Sequence, residues 1–320
     1  MNIFPIVFAT DNNYLKYTSV TIASIISNSR KDILYKLFIL TEDISDENQR
    51  IINKWISRYK NFSIDFIFLN EIKNENLHTE AHLNNSTYYR LYIPKLFKDY
   101  ERVLYLDSDL IIDRDISQFL KIDFDNCLLM GVTDYSSEYV KNDYPNFSKN
   151  YFYNVLKLKE PDEYINAGVA LFNVKKIIEL GIENEFIEII KTIEKPINHD
   201  QDLMNAVIGR NGKTKILSKK FNYLTVYQDD LNITYSYVLK DSFSRLFKKK
   251  NEQDIKFYIY HFSSKAKPWN STRISKRLFY KFLFSIHLVK PPKEYIEEIL
   301  EEDKYKYPFY WKLFLKYFSS

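Results

Sequence analysis

The stretch RVLYLDSDLIID, residues 102–113, decides how this chain is read. A short apolar run, Val103 to Leu106, stops abruptly at Asp107 and Asp109 with only Ser108 between them. Such a run reads as a buried strand. Side chains two apart on a strand share a face, so the two carboxylates are expected to project together. Like charges this close repel, and a hard divalent cation held by both relieves the repulsion. Oxygen ligands suit Mg²⁺ or Mn²⁺, which can then bridge to a diphosphate.

Working outward, the chain before this point alternates two periodicities. Residues 3–9 (IFPIVFA), 34–40 (LYKLFIL) and 62–69 (FSIDFIFL) read as strands, and 14–28 and 45–59 as helices. This β-α-β-α-β rhythm predicts an α/β fold with a mostly parallel central sheet covered by helices, whose ligands bind beyond the carboxyl ends of the strands. Two strand ends are polar: the one before Asp107, and the one running into Thr10-Asp11-Asn12-Asn13-Tyr14. Further on we expect a helix over 86–97, a strand over 127–133, a polar aromatic loop over 135–160, the strand-like YINAGVALFNV over 164–174, a helix over 199–209 and a strand within KFYIYHF, 256–262. Past Trp269 the composition shifts toward Lys, Phe, Tyr and Leu. The expected division is therefore 1–270 as the main domain and 271–320 as a helical, basic and aromatic segment.

Composition excludes several function classes. Forty-six Lys and Arg against 42 Asp and Glu leave a net charge of +4, too mild and too interleaved for a nucleic-acid footprint. Cys127 is the only cysteine, so no intrachain disulfide forms. With no signal-like N-terminus and no run of about 18 apolar residues, a cytoplasmic, non-spanning chain is expected. Only five glycines occur, and none has the spacing of a phosphate-cradling loop. A bound diphosphate would need another source of positive charge.

His261, ending an apolar strand, can complete a metal site with the two aspartates, and Lys265 and Lys267 just beyond it offer cations to phosphate. The bland alternatives are a solvated Asp-x-Asp turn and an ordinary strand-end histidine. A rival chemistry is that of haloacid-dehalogenase-type phosphatases, which use one Asp of such a pair as nucleophile and the other as acid/base. Their motif continues with Thr or Val on a first strand, whereas Leu110 follows here. His78 and His82 have helical spacing but lack a third ligand.

Six segments in order, PIVFATDNNY, STYYRLYIPKLF, RVLYLDSDLII, YINAGVALFNV, NHDQDLMNAV and HFSSKAKPW, resemble the family 8 glycosyltransferases over about residues 3–270. These are retaining enzymes that include lipo-oligosaccharide galactosyltransferases, lipopolysaccharide glucosyltransferases and glycogenins. The resemblance implies a GT-A type nucleotide-binding fold, a UDP-sugar donor (UDP-galactose or UDP-glucose), and Mn²⁺ or Mg²⁺ on Asp107, Asp109 and His261. It implies that Asp11, Asn13 and Tyr14 hold uridine and that Ser108, Arg90 and Lys267 lie on the donor. Asp134 and Asn166 would line the sugar pocket with Asp200 and Gln201, the pair nearest the reacting carbon. Ser264 departs from the family, which commonly has glycine there.

The activity so implied is transfer of a hexose to a glycan or lipid-linked acceptor in surface polysaccharide synthesis. The alternatives are a metal-dependent phosphatase and an inactive nucleotide-sugar-binding module. The tail KYKYPFYWKLFLKYFSS, with eight aromatics among its lysines, suits an anionic membrane interface, and a terminal helix packed on the domain is the alternative.

Overall fold

In the computed structural model the described residues are 2–70, 86–142, 148–193, 195–225, 258–263, 267–269, 279–280, 282–283 and 288–304. The first half follows the expected rhythm: β1 (Asn2–Ala9), α1 (Leu15–Ser27), β2 (Ile33–Thr41), α2 (Asp46–Ile56), β3 (Phe62–Phe68). Then come a 3₁₀ turn (Ser86–Tyr92), α3 (Ile93–Leu96), β4 (Val103–Leu106), β5 (Leu110–Ile112), β6 (Leu129–Thr133) and α4 (Ser136–Lys141). The remaining α-helices and strands among the described residues are β7 (Ile165–Phe172), α5 (Val174–Glu179), α6 (Glu185–Thr192), α7 (His199–Asn211), β8 (Thr214–Ile216), β9 (Tyr223–Leu224), β10 (Ile259–His261) and α8 (Lys293–Lys304).

Seven strands form the main sheet in the order β3-β2-β1-β4-β7-β6-β8, and β5-β10-β9 form a small second sheet. The main sheet is mostly parallel; β7 alone runs against both its neighbours. Both faces are covered. On β1, Phe4, Ile6 and Phe8 enter one core while Val7 and Ala9 enter the other, which is why the sequence shows continuous apolar runs and not alternation. Burial of each such large side chain contributes roughly 1.5–3 kcal/mol.

Three expectations change in detail. The segment 86–97 is two pieces, because Pro94 has no N–H to give the carbonyl of Arg90 and a continuous α-helix cannot pass it. The span 135–160 is not plain loop: it holds α4 and a π-helical turn, Tyr151–Val155, with 143–147 outside the described residues. Beyond residue 270, α8 buries Tyr295, Ile296, Ile299 and Leu300 in the core that also takes Phe4 and Leu37. Its Glu302 accepts from Lys16 and from the Tyr17 hydroxyl, and its Tyr295 hydroxyl donates to Asn48 at 2.9 Å. Among the described residues no helix is long and apolar enough to cross a membrane.

Candidate active site

The two carboxylates converge, but not by strand alternation. β4 ends at Leu106, and the chain steps from the main sheet into the small one across Asp107-Ser108-Asp109. Asp107 still belongs to the main sheet, its N–H donating to the Gly168 carbonyl on β7 at 2.8 Å. Asp109 already belongs to the small sheet, its carbonyl accepting from Phe262 N–H at 3.0 Å, while His261 pairs with Leu110. The same crossing therefore brings the histidine to the aspartates.

Helix α1 holds the crossing from behind. It is almost wholly buried, yet Thr18, Thr21, Ser24 and Asn28 form a polar stripe along one face. The Thr21 hydroxyl shares its one proton between the carbonyls of Ser108 (2.8 Å) and Leu110 (2.9 Å), Ser24 accepts from Ile112 N–H (2.9 Å), and Asn28 donates to the Ile112 carbonyl (2.9 Å). The free edge of β5 is thus satisfied by helix side chains, as a buried edge must be. Ser108 belongs to this scaffold: its hydroxyl accepts from Thr18 at 2.8 Å.

Asp107, Asp109 and His261 each offer one ligand atom, and these atoms lie within 4.8 Å of one another. His261 Nε2 is 3.5 Å from Asp107 and 3.4 Å from Asp109. Burial works against charge here, yet the flanking Asp109 and Asp107 push the imidazole up to about 9. Burial likewise disfavours both carboxylates, but Arg90 and His261 hold Asp107, and Lys267 and His261 hold Asp109, below the usual range. Two hard carboxylates and one imidazole fit Mn²⁺ or Mg²⁺.

Two residues the sequence reading passed over make this geometry possible. Asn222 on the far side of the imidazole meets His261 Nδ1 at 3.1 Å with its Oδ1 while its Nδ2 donates to Asn166 at 2.9 Å. The proton is thereby kept on Nδ1 and Nε2 faces the carboxylates. Gly168 supplies space: a Cβ there would lie 2.2 Å from His261 Cε1 and 2.5 Å from Asp107 Oδ2. Its backbone is ordinary, so the constraint is contact and not conformation.

Arg90 is 3% exposed and bridges Asp107 of the metal-type set to Asp200. It donates to Asp107 at 2.8 Å and pairs with Asp200 at 2.8 Å, with its guanidinium over the Tyr105 ring, whose hydroxyl also donates to Asp107. Burial raises the Asp200 carboxyl, only partly offset by Arg90.

Asp134, Asn166 and Gln201 are likewise brought together. Asn166 donates to Asp134 (2.9 Å) and to Gln201 Oε1 (3.2 Å), and its own oxygen accepts from Gly168 N–H (3.1 Å). A hydrogen-bonded chain therefore runs from His261 through Asn222 and Asn166 to Gln201.

In the loop after β1, Asp11 accepts from Tyr14 N–H at 2.7 Å and its carbonyl from Leu15 N–H, starting α1. Asn13 is exposed in this loop. Tyr14 sits edge-on to Tyr17 (5.0 Å) and Trp269 (5.6 Å), and Trp269 stacks on Tyr17 at 3.8 Å. Burial, and after it Asp109 and Asp107, push the Tyr14 hydroxyl far up. Lys267 donates to Asp109 and to the Phe262 carbonyl. Ser264, Lys265, His78 and His82 lie outside the described residues.

The glycosyl transferase family 8 model matches residues 5–273. A putative glycosyltransferase of Haemophilus influenzae is 29% identical over 272 residues, covering 83% of this chain and 72% of that protein. The lipopolysaccharide 1,2-glucosyltransferase of Escherichia coli is 25% identical over 274 residues, 84% of this chain and 73% of that one. Among solved structures, the bifunctional glycosyltransferase WbbM aligns with a TM-score of 0.74 at 28% identity, covering 94% of this chain; this chain spans 52% of it. The family match runs from within β1 to beyond Trp269 and so takes in every residue of the site: on its GT-A fold, the chain belongs to glycosyl transferase family 8.

Proposed function

We propose that this chain is a retaining, metal-dependent transferase that moves a hexose, galactose or glucose, from a UDP-sugar to a saccharide acceptor of a lipopolysaccharide-type glycan. The observation that carries this reading is the convergence of Asp107, Asp109 and His261 beside the pocket of Asp134, Asn166, Asp200 and Gln201, at the carboxyl ends of β1 and β4. The name of the E. coli relative supports a hexose donor and a glycan acceptor. Membership of the transferase family leaves the phosphatase alternative without support.

Asp11, Asn13 and Tyr14 hold the uridine, the base against the Tyr14 ring. Mn²⁺ or Mg²⁺, when held by the two aspartates and His261, supplies Lewis-acid stabilisation of the departing diphosphate worth several kcal/mol. Lys267, already at this site through Asp109, adds a second cation there. Asp134, Asn166 and Asp200 distinguish the sugar hydroxyls by paired donors and acceptors. The bond from the anomeric carbon to UDP breaks, and the acceptor oxygen bonds to the same face, its proton passing to the departing phosphate. An amide is a poor nucleophile, so Gln201 acts by position and charge.

Incubated with UDP-hexoses and Mn²⁺, the chain is expected to release UDP and no inorganic phosphate, and the glycosidic product is expected to be α-linked, assigned by NMR. A β-linked product would refute retention.

The proposal extends to the lipid side. Residues 305–320, with Tyr, Trp and Lys interleaved, contact anionic membrane beside a lipid-linked acceptor, at the cytoplasmic face. A chain ending at residue 304 keeps α8 and every site residue. It should lose sedimentation with anionic vesicles while hydrolysing UDP-sugar as before; unchanged sedimentation would reject the contact.

A further inference from the structure

Gln201 is gripped at both ends of its amide, and the grip determines which atom it can offer. On one side the Ala167 N–H reaches Gln201 at 3.0 Å. A backbone N–H only donates, so the atom facing it is the carbonyl oxygen. The second donor on that oxygen is Asn166 Nδ2, 3.2 Å away, whose identity is set in turn because the other end of the Asn166 amide accepts from Gly168 N–H. Both lone pairs of the Gln201 oxygen are therefore taken.

On the other side stands the Tyr164 hydroxyl, 3.1 Å from Gln201 Nε2. A hydroxyl has one proton, and here it goes to Asp202 Oδ1 at 2.5 Å. Asp202 is fully buried, and its other oxygen accepts from Tyr151 OH (2.6 Å) and Asn198 N–H (2.8 Å), so the whole carboxylate is an acceptor. With its proton spent, the Tyr164 oxygen can only accept, and it does so from Gln201 and from Asn198 Nδ2 at 2.9 Å. The amide orientation thus follows from donor and acceptor logic at both ends.

We propose that Tyr164, with its hydroxyl proton donated in a hydrogen bond to Asp202, is a positioning residue that turns the Gln201 amide so that it presents an N–H, and not its carbonyl oxygen, to the reacting sugar. One Nε2 hydrogen goes to Tyr164 and the other has no partner among the described residues. A donor stabilises negative charge, so Gln201 serves the departing phosphate oxygen, the acceptor oxygen or a sugar hydroxyl. It is not an electron-pair donor to the anomeric carbon. This rests on the reading of the pocket as a UDP-hexose site.

The test compares Tyr164→Phe, Asp202→Asn and Tyr151→Phe in the full chain, with kcat, KM for UDP-hexose, and calorimetric binding of UDP with Mn²⁺. Tyr164→Phe frees one end of the amide and is expected to lower kcat about 10-fold, with KM and UDP binding within about 2-fold. Asp202→Asn should act in the same direction. Its oxygen is needed by Asn198 and Tyr151, so its NH₂ faces Tyr164 and sends the hydroxyl proton back onto Gln201. Tyr151→Phe leaves the Tyr164 contact intact and should change kcat by less than about 2-fold.

Unchanged kcat in folded Tyr164→Phe or Asp202→Asn would overturn the proposal. So would an equal loss in Tyr151→Phe, which would make the cluster a scaffold only. A measurement on the unsubstituted chain needs no variant to fold: one of the two side-chain NH₂ protons of Gln201 should exchange with solvent much more slowly than the other by ¹⁵N-edited NMR, and two fast-exchanging protons would refute the grip. Absence of UDP-hexose turnover in the unsubstituted chain would instead reject the functional reading while leaving the NMR result standing.

Discussion

Alanine at Asp107, Asp109 or His261 is expected to lower turnover at least ~10²-fold, about 2.7 kcal/mol of barrier. Each change removes one of the three convergent ligand atoms. Mn²⁺ binding, followed by calorimetry, should weaken in parallel, and excess chelator should silence the unsubstituted chain until Mn²⁺ is restored. Gly168→Ala should act through shape alone. Its methyl group would enter the space of the Asp107 carboxylate and the His261 ring, so Mn²⁺ affinity should fall at least ~10-fold although no ligand is changed. Full activity in chelator would refute the metal site. Unaltered Mn²⁺ affinity in Gly168→Ala would show that the two ligands move apart at no cost.

Arg90→Met is expected to cost about 3 kcal/mol of folding stability in metal-free protein, because the buried Asp200 and the partly buried Asp107 lose the cation they share. The guanidinium is itself kept strongly protonated against burial by Asp107 and Asp200. The sign with pH follows. The folded carboxyl of Asp107 lies below its unfolded value, so its contribution is complete above about pH 4 and is lost as pH falls toward the folded value. Denaturant unfolding at pH 7 and pH 3 should therefore show a smaller gap between Arg90→Met and the unsubstituted chain at the lower pH. Equal stability of the two proteins at pH 7 would mean that the crossbar is not needed.

Part of this site was legible without coordinates because it lies in short stretches whose chemistry is local. Asp107 and Asp109 follow an apolar run, and His261 and Lys267 follow another. The structure brings all four together. The reason first given for the convergence of the aspartates was alternation along one strand, and that is not how it happens: β4 ends at Leu106 and the pair spans two sheets. Arg90 was expected to reach the donor; its guanidinium is engaged by Asp107 and Asp200, partners that no local sequence signal names. Asn222 carried no signal, since an isolated Asn near an apolar run is ordinary packing in most chains, and Tyr164 and Asp202 lay within YINAGVALFNV and NHDQDLMNAV with nothing local to give them a role of their own. The polar stripe of α1 was visible as Thr18, Thr21, Ser24 and Asn28 at helical spacing, but its meaning required knowing that a strand edge lies against it.

By itself the sequence determined the strand and helix rhythm, the burial of both sheet faces, and the residue types able to hold a divalent cation and a diphosphate, because these follow from periodicity and side-chain chemistry within a few residues. Only the tertiary structure decided that Gly168 must lack a side chain, that Asn222 meets His261 Nδ1, and that the Gln201 amide is held between Ala167 and Tyr164. The physical reason is directional. What a short polar side chain does depends on the donor or acceptor opposite it, and here that partner comes from a different strand or helix, tens of residues away.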